Sequence, residues 1–179
     1  MSNLVKHDGA AVAKELQAVA QQYLTFVLAG EMYAVGTISV KEIIEYGQLT
    51  TVPMMPSFIR GVINLRGAVV PVIDLGARFG GKQTEIHRRT CIVILEVIQD
   101  QDTQVIGVIV DAVSEVLEIP INDIEPPPAF GAKIRTDFIA GMGKVNGKFV
   151  ILLNVGQVLS VDEMSTLAAI GTGSAIAEQ

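Results

Sequence analysis

The feature of this sequence that most constrains its fold is an internal repeat. Residues 58–76 align without gaps to residues 138–156, at an offset of 80. The identical pairs are Phe58/Phe138, Ile59/Ile139, Gly61/Gly141, Gly67/Gly147, Val70/Val150 and Gly76/Gly156. Further upstream, residues 35–44 match residues 108–117 at an offset of 73. A chain that carries two copies of one plan is expected to fold as two similar units.

Each copy is a series of short strands separated by turns. Runs of β-branched and aromatic residues between glycines and prolines predict about five strands per copy. We predict hairpins at 23–35, 61–75 and 138–156, a helical turn at 76–80, and a C-terminal helix whose capping box is Ser160 to Glu163. Pro71 predicts that its strand is an edge strand or is bulged there. Five short strands suit a small closed barrel, so we expect a mainly β protein of two barrels packed as one unit.

The two central turns of the repeat differ in one residue. Gly67 and Gly147 occupy hairpin turns, where a positive φ is needed. Asn146 precedes Gly147, and Asn-Gly is a preferred turn pair, whereas Arg66 precedes Gly67. Folding alone therefore explains Asn146 better than Arg66, which is either a solvated surface arginine or a functional one.

Composition excludes several classes of protein. Half of the residues are apolar, so the chain is not disordered. A net charge of −6 and the absence of tryptophan argue against nucleic-acid binding. A single cysteine, Cys91, is typical of a reducing compartment. No signal peptide and no apolar run of about 20 residues are apparent, so we expect a cytoplasmic protein without membrane insertion.

Charge is unevenly distributed along the chain. Residues 58–90 contain six basic residues and two acids, and residues 95–125 contain eight acids and no lysine or arginine. The basic residues are Arg60, Arg66, Arg78, Lys82, Arg88 and Arg89. Either these are solvated faces and loops, or the protein presents two oppositely charged surfaces to different partners.

The sequence contains no recognisable catalytic or cofactor motif. His7 and His87 lie apart from Cys91, so no metal-ligand spacing is present. The pairs Gly143-Lys144 and Gly147-Lys148 resemble fragments of a phosphate-binding loop but lack the spacing of one. A small nucleotide-binding protein is thus a distant alternative. We expect a binding protein that is not an enzyme and has no catalytic residue, cofactor or metal.

Residues 58–75, Phe-Ile-Arg-Gly-Val-Ile-Asn-Leu-Arg-Gly-Ala-Val-Val-Pro-Val-Ile-Asp-Leu, closely resemble the signature of the CheW family of bacterial chemotaxis coupling proteins. The resemblance covers about residues 20–167. It implies a single CheW-like domain at 21–168, made of two pseudo-repeated subdomains. Residues 1–20 form an N-terminal arm outside the match, and residues 169–179 form a frayed tail.

The resemblance also implies a fold and a function. The fold expected is mainly β, with two intertwined five-stranded SH3-like β-barrels, short helices and a C-terminal helix. The function expected is a non-enzymatic adaptor in cytoplasmic chemosensory arrays. Its partners would be the cytoplasmic tip of methyl-accepting chemoreceptors and the regulatory domain of the histidine kinase CheA. An alternative is a scaffold of the same fold in a related non-flagellar pathway, such as twitching motility.

Individual site residues follow from the same resemblance. Val40, Glu42, Gly61 and Arg66 match positions associated with receptor and kinase coupling, and Glu42 is expected to pair with Arg66. Phe130, which ends the proline-rich loop, and Glu125 match positions of a second, ring-closing contact with the kinase. Glu125 stands where well-known relatives carry a basic residue, so the charge pattern of that contact is expected to differ here.

Overall fold

The computed structural model describes residues 21–99, 101–127 and 138–158, which are mainly β. The strands, in chain order, are β1 (Gln21–Leu28), β2 (Glu31–Gly36), β3 (Val40–Glu45), β4 (Ile59–Leu65), β5 (Ala68–Asp74), β6 (Cys91–Gln99), β7 (Asp102–Val110), β8 (Ala112–Ile119), β9 (Ile124–Glu125), β10 (Ile139–Val145) and β11 (Lys148–Leu153). Two short α-helices, α1 (Leu75–Arg78) and α2 (Val155–Val158), follow β5 and β11, and single 3-10 turns at Thr37–Ser39 and Ile121–Asp123 precede β3 and β9. No helix within these ranges is long and apolar enough to cross a membrane.

Three hairpins share one turn geometry. The β1–β2, β4–β5 and β10–β11 turns each place a residue with positive φ before a glycine with positive φ. The pairs are Ala29 and Gly30, Arg66 and Gly67, and Asn146 and Gly147. Two successive positive φ values define a type I′ turn, whose twist matches that of the flanking strands. The three predicted hairpins are confirmed, and so is a helical turn after β5, although it begins at Leu75 rather than at Gly76.

The two copies of the repeat exchange their first hairpins. The six-stranded sheet has the order β8-β1-β2-β11-β10-β9, and the five-stranded sheet has the order β3-β6-β7-β5-β4. Strands β1 and β2 of the first copy thus join the second copy, while β6 and β7 join the first. The two parallel strand pairs, β2 with β11 and β7 with β5, occupy equivalent places in the repeat. Leu152 lies opposite Ala34 in the first pair, and Val72 lies opposite Gly107 in the second.

The core is shared by both sheets. Its largest buried cluster joins Phe26 and Val35 of the six-stranded sheet to Val93 and Val108 of the five-stranded sheet. Each fully buried aliphatic or aromatic side chain stabilises the fold by about 1.5–3 kcal/mol. A core drawn from both copies favours one cooperative unit over two separable ones.

Arg78, the last residue of α1, makes contacts with both copies of the repeat. Its Nε–H donates to the carbonyl of Val158, its own repeat equivalent, at 2.7 Å. The guanidinium carbon lies 4.7 Å from the centre of the Phe58 ring and 5.2 Å from that of Phe138. Because these two phenylalanines are also repeat equivalents, one arginine contacts matching positions of both copies.

A buried carboxylate holds the segment 79–90, which has no helix or strand, against the five-stranded sheet. Asp74 is fully buried and lies 2.6 Å from Nη1 of Arg60. It accepts hydrogen bonds from the backbone N–H and the hydroxyl of Thr84, at 2.8 and 2.7 Å. Its repeat equivalent, Asn154, is exposed. Removing one partner of a buried ion pair costs about 3–5 kcal/mol, so this network is a strong anchor of the segment.

Two structural predictions need correction or narrowing. The mainly β class is confirmed, but the strand pairing gives one sheet of six strands and one of five, and neither sheet closes on itself within the described residues. Strand β5 is not an edge strand, because it lies between β7 and β4, and the irregularity in its pairing with β4 lies opposite Val72 and Ile73 instead of at Pro71. Pro71 is tolerated there because the pairing of β5 with β7 begins only at Val72. The predicted N-terminal arm, C-terminal helix and C-terminal tail lie outside the described residues.

Candidate interaction site

Glu42 and Arg66 form an ion pair. Glu42 lies on β3, at one edge of the five-stranded sheet, and Arg66 lies at the β4–β5 turn, beside the opposite edge. Nη1 of Arg66 donates to Oε2 of Glu42 at 2.6 Å. The side chain of Glu42 is 24% exposed and that of Arg66 is 76% exposed. The expected pairing is present, and most of the guanidinium still faces solvent.

Arg66 occupies a backbone conformation that does not favour arginine. Its φ is +54°, nearly the same as the +52° of Asn146 in the equivalent turn. Asparagine is among the residues best suited to this region. The turn gains support from Asn64, whose side-chain oxygen accepts the backbone N–H of Gly67 at 2.9 Å. The backbone alone therefore gives no reason for an arginine here.

Gly61 lets the segment that follows β3 cross closely over β4. The backbones of Thr50 and Val62 exchange two hydrogen bonds of 2.9 and 2.8 Å. A Cβ atom built on Gly61 would lie 2.5 Å from the carbonyl oxygen of Thr50. Gly61 is itself buried. The structure thus gives Gly61 a role in letting the two backbones approach, and its role in binding stays a prediction.

An open cleft lies close to the ion pair in sequence, since its lining residue Leu65 precedes Arg66. It has a volume of about 670 Å³ and lies between β3, β4 and the segment 47–50. Its lining mixes apolar side chains, such as Ile44, Leu49 and Ile63, with the polar residues Glu45, Gln48 and Asn64. The sequence did not single out these residues, because alternating apolar positions are typical of any strand. The one sequence feature that could have indicated this region is the identical pair Gly61 and Gly141, because a glycine repeated within strands is typical of a close approach between two backbones.

Val40 packs on the core side of β3, the strand that carries Glu42. It begins β3 opposite Leu95 of β6, is half-buried, and packs against the main core cluster. Val40, Glu42, Gly61 and Arg66 are therefore all in or beside the five-stranded sheet, as parts of one region. Their roles in binding stay predictions.

Glu125 lies in the other sheet. It is exposed on β9 and pairs with Met142 of β10. Glu125 takes the place in the second copy that Thr50 takes in the first. A Cβ atom on Gly141, the equivalent of Gly61, would lie 3.1 Å from the carbonyl oxygen of Glu125. Phe130 lies outside the described residues.

The basic stretch is not one exposed surface. Arg60, Arg66 and Arg78 are bound within the protein, to Asp74, Glu42 and the Val158 carbonyl. Arg66 is nevertheless exposed, as are Lys82, Arg88 and Arg89 in the segment that Asp74 holds. In the acidic stretch, exposed carboxylates lie on β8, β9 and the turn between them, at Glu115, Glu118, Asp123 and Glu125.

The Gly-Lys pairs have an ordinary structural explanation. Both belong to the β10–β11 hairpin, where Gly147 completes the turn and Lys148 begins β11. A phosphate-binding loop leads instead into a helix N-terminus. The arrangement therefore gives no support to the nucleotide-binding alternative.

Comparison with known proteins identifies the family. The CheW-like domain model matches residues 22–163. Chemotaxis protein CheW of Klebsiella aerogenes is 35% identical over 149 residues, which are 83% of this chain and 87% of that protein. Protein FrzA of Myxococcus xanthus is 30% identical over 150 residues, 83% of this chain and 91% of FrzA.

A solved structure agrees with these sequence matches. The crystal structure of the scaffolding protein TtCheW from Thermoanaerobacter tengcongensis aligns with a TM-score of 0.72 at 37% identity, covering 80% of this chain and 90% of that one. The internal repeat, the exchanged hairpins and the motif around Gly61 and Arg66 lie within the matched region. The chain therefore belongs to the CheW-like family.

Proposed function

We propose that this protein is a non-enzymatic adaptor that couples the cytoplasmic tips of chemoreceptors to the histidine kinase CheA. The observation that carries the proposal is the exposed guanidinium of Arg66, which Glu42 orients and which follows Leu65 of an open cleft. Arg66 sits at a turn that favours asparagine and is held by Glu42 at 2.6 Å. The names of its relatives, chemotaxis protein CheW and a scaffolding protein, support this role. Such an adaptor works in the cytoplasm, where the receptor tips lie.

The site is suited to recognising a protein surface. A guanidinium presents a rigid fork of donors that binds a carboxylate at two points. Only Nη1 of Arg66 has a hydrogen-bond partner among the described residues. The nearby cleft offers both apolar and polar groups, and in a binding interface a few buried contacts of this kind supply most of the affinity.

We also propose that each sheet, with its connecting segments, forms an SH3-like barrel. Two contacts join the opposite edges of the five-stranded sheet, the Thr50 and Val62 hydrogen bonds and the Arg66 and Glu42 ion pair. In the six-stranded sheet, β9 follows β8 along the chain and pairs with β10 in the equivalent place.

A pull-down tests the function directly. The full chain is incubated with the cytoplasmic fragment of a receptor from the same organism and with the regulatory domain of its CheA. We expect it to bind each alone and to bring both into one complex that raises kinase activity. Binding to neither would contradict the adaptor role.

The relative FrzA supports a second candidate, an adaptor of the same design in a non-flagellar chemosensory pathway. The genes beside the coding sequence distinguish the two candidates, since receptors and a kinase of one pathway are expected there. Isothermal titration with ATP and GTP tests the nucleotide-binding alternative, for which we expect no heat of binding.

We propose Phe130 and Glu125 as parts of a second contact with the kinase. The preceding run of three prolines restricts the backbone, so Phe130 is presented at low entropic cost. We expect Phe130→Ala to keep its melting temperature and to weaken array formation, since a buried aromatic anchor contributes about 2 kcal/mol or more. The measurements are thermal denaturation and sedimentation of reconstituted arrays. A large loss of stability would place Phe130 in the core instead.

We expect the exposed basic residues of the segment 79–90 and the exposed acidic residues of β8 and β9 to contact different partners. Raising the salt concentration to about 0.5 M, roughly three times physiological ionic strength, should slow both associations, because rim charges act mainly on the association rate. Replacing Lys82, Arg88 and Arg89 by glutamine should remove the salt dependence for one partner, and replacing Glu115 and Glu118 by glutamine should remove it for the other. Surface plasmon resonance measures both. Salt-independent binding of both partners would contradict the expectation.

A further inference from the structure

Met54 is held in an exposed and unusual conformation. Its φ is +62°, in the left-handed region that few residues other than glycine adopt. Its side chain is 100% exposed. Pro53 precedes it and Pro56 follows two residues later, which limits the conformations open to this segment.

The neighbours of Met54 are anchored on both sides. Before it, Thr50 is hydrogen-bonded to Val62, and directly after it Met55 packs against the main core cluster. Further on, the backbone N–H of Ile59 donates to the carbonyl of Pro56 at 2.9 Å. The exposure of Met54 is thus set by a well-fixed loop, which turns one methionine inward and its neighbour outward.

The other methionines that the structure describes are shielded. Met32, Met55 and Met142 are each partly buried and pack against core clusters. The sulfur of a methionine is oxidised by direct attack on a peroxide oxygen, so the reaction depends on access. We propose that Met54 is a selective and reversible oxidation site that takes an oxygen atom from a hydroperoxide.

The step is balanced with hydrogen peroxide as the oxidant. The thioether sulfur attacks one peroxide oxygen, an S–O bond forms, the O–O bond breaks, and water leaves. Sulfur loses two electrons and the peroxide gains them. Methionine sulfoxide reductases, which draw electrons from thiols, reverse the reaction. The product replaces an apolar group with a polar one at a point where the side chain faces solvent, so the fold remains intact while the surface changes.

The site is independent of the proposed coupling role, and its test needs no partner. The full-length protein is treated with hydrogen peroxide, quenched with catalase at intervals, digested with trypsin and analysed by mass spectrometry. Cleavage after Lys41 and Arg60 leaves Met54 and Met55 in one peptide, and fragment ions distinguish them. Met55 is therefore a matched internal control. We expect Met54 to be oxidised about tenfold faster than Met55, Met32 or Met142, because access limits the reaction.

Two further measurements check the assignment. In Met54→Leu, the fast phase of oxygen uptake by this peptide should disappear. Protein oxidised only at Met54 should keep its melting temperature, and a methionine sulfoxide reductase should restore the original mass. Equal rates at Met54 and Met55, a fast phase that persists in Met54→Leu, or unfolding on oxidation of Met54 alone would each overturn the proposal.

Discussion

Replacing Arg66 by asparagine is expected to remove most receptor-dependent activation of the kinase while leaving the protein at least as stable. Asparagine occupies the equivalent turn at position 146 with a φ of +52°, close to the +54° of Arg66. The lost ion pair is largely exposed, so its contribution to folding is about 1 kcal/mol or less. Truncating an arginine that is desolvated in an interface costs about 2–5 kcal/mol of binding. Thermal denaturation and a reconstituted kinase assay measure the two effects.

Two matched variants separate charge from geometry at this position. Arg66→Lys keeps the charge but lacks the planar fork, so we expect it to couple poorly if binding uses two donors. Glu42→Gln removes the ionic partner while the guanidinium stays in place, and we expect a smaller loss of coupling. Normal coupling by Arg66→Asn would show that Arg66 is a bystander. Unfolding of Arg66→Asn would show that its role is structural.

The repeat predicted local structure well because turns and strand patterns are local. The hairpin turns at Gly67 and Gly147 follow from residues adjacent in sequence, and so does the short helix after β5. The repeat could not predict which copy each hairpin joins. Val72 pairs with Gly107, and Leu152 pairs with Ala34, although each pair comes from different copies. When two copies are alike, pairing within a copy and exchange between copies have the same sequence pattern.

The pattern of apolar and polar residues also could not predict hydrogen-bond networks between side chains that are not adjacent in sequence. In the repeat Asp74 aligns with Asn154, which is exposed, whereas Asp74 is buried and bound to Arg60 and Thr84. The basic stretch was therefore read as more exposed than it is. The Glu42 and Arg66 pair was expected from family resemblance, since nothing in the spacing of these two residues indicates that the opposite edges of one sheet meet.

The largest effect on the fold around the site is expected from Gly61→Ala. The new Cβ atom would lie 2.5 Å from the carbonyl oxygen of Thr50. A backbone atom cannot move aside as a flexible side chain does, so the two hydrogen bonds between Thr50 and Val62 should break. Overpacking and two lost hydrogen bonds together cost about 2–4 kcal/mol. We expect a melting temperature lower by roughly 5–15 °C and a coupling site that is no longer held in place.

Two further glycine variants serve as controls. One measures the cost of placing alanine at a positive φ, and the other makes the equivalent substitution in the six-stranded sheet. Gly67→Ala also places alanine at a positive φ, but no atom lies within 4 Å of its Cβ, so it isolates the conformational cost. In Gly141→Ala the Cβ atom would lie 2.7 Å from the Cγ2 methyl of Ile124 and 3.1 Å from the carbonyl oxygen of Glu125, a longer backbone contact than at Gly61, so a milder effect confined to β9 is expected.

Amide hydrogen exchange provides the decisive readout for Gly61→Ala, because it locates the damage. The amides of Thr50 and Val62 should lose protection while those of β6 and β7, at the centre of the five-stranded sheet, keep theirs. The variant should then bind its partners weakly although most of the fold persists. Unchanged protection at Thr50 and Val62 would show that the segment tolerates a side chain at position 61. In that case the contribution of Gly61 to coupling would have to come from direct contact with a partner, which its burial opposes.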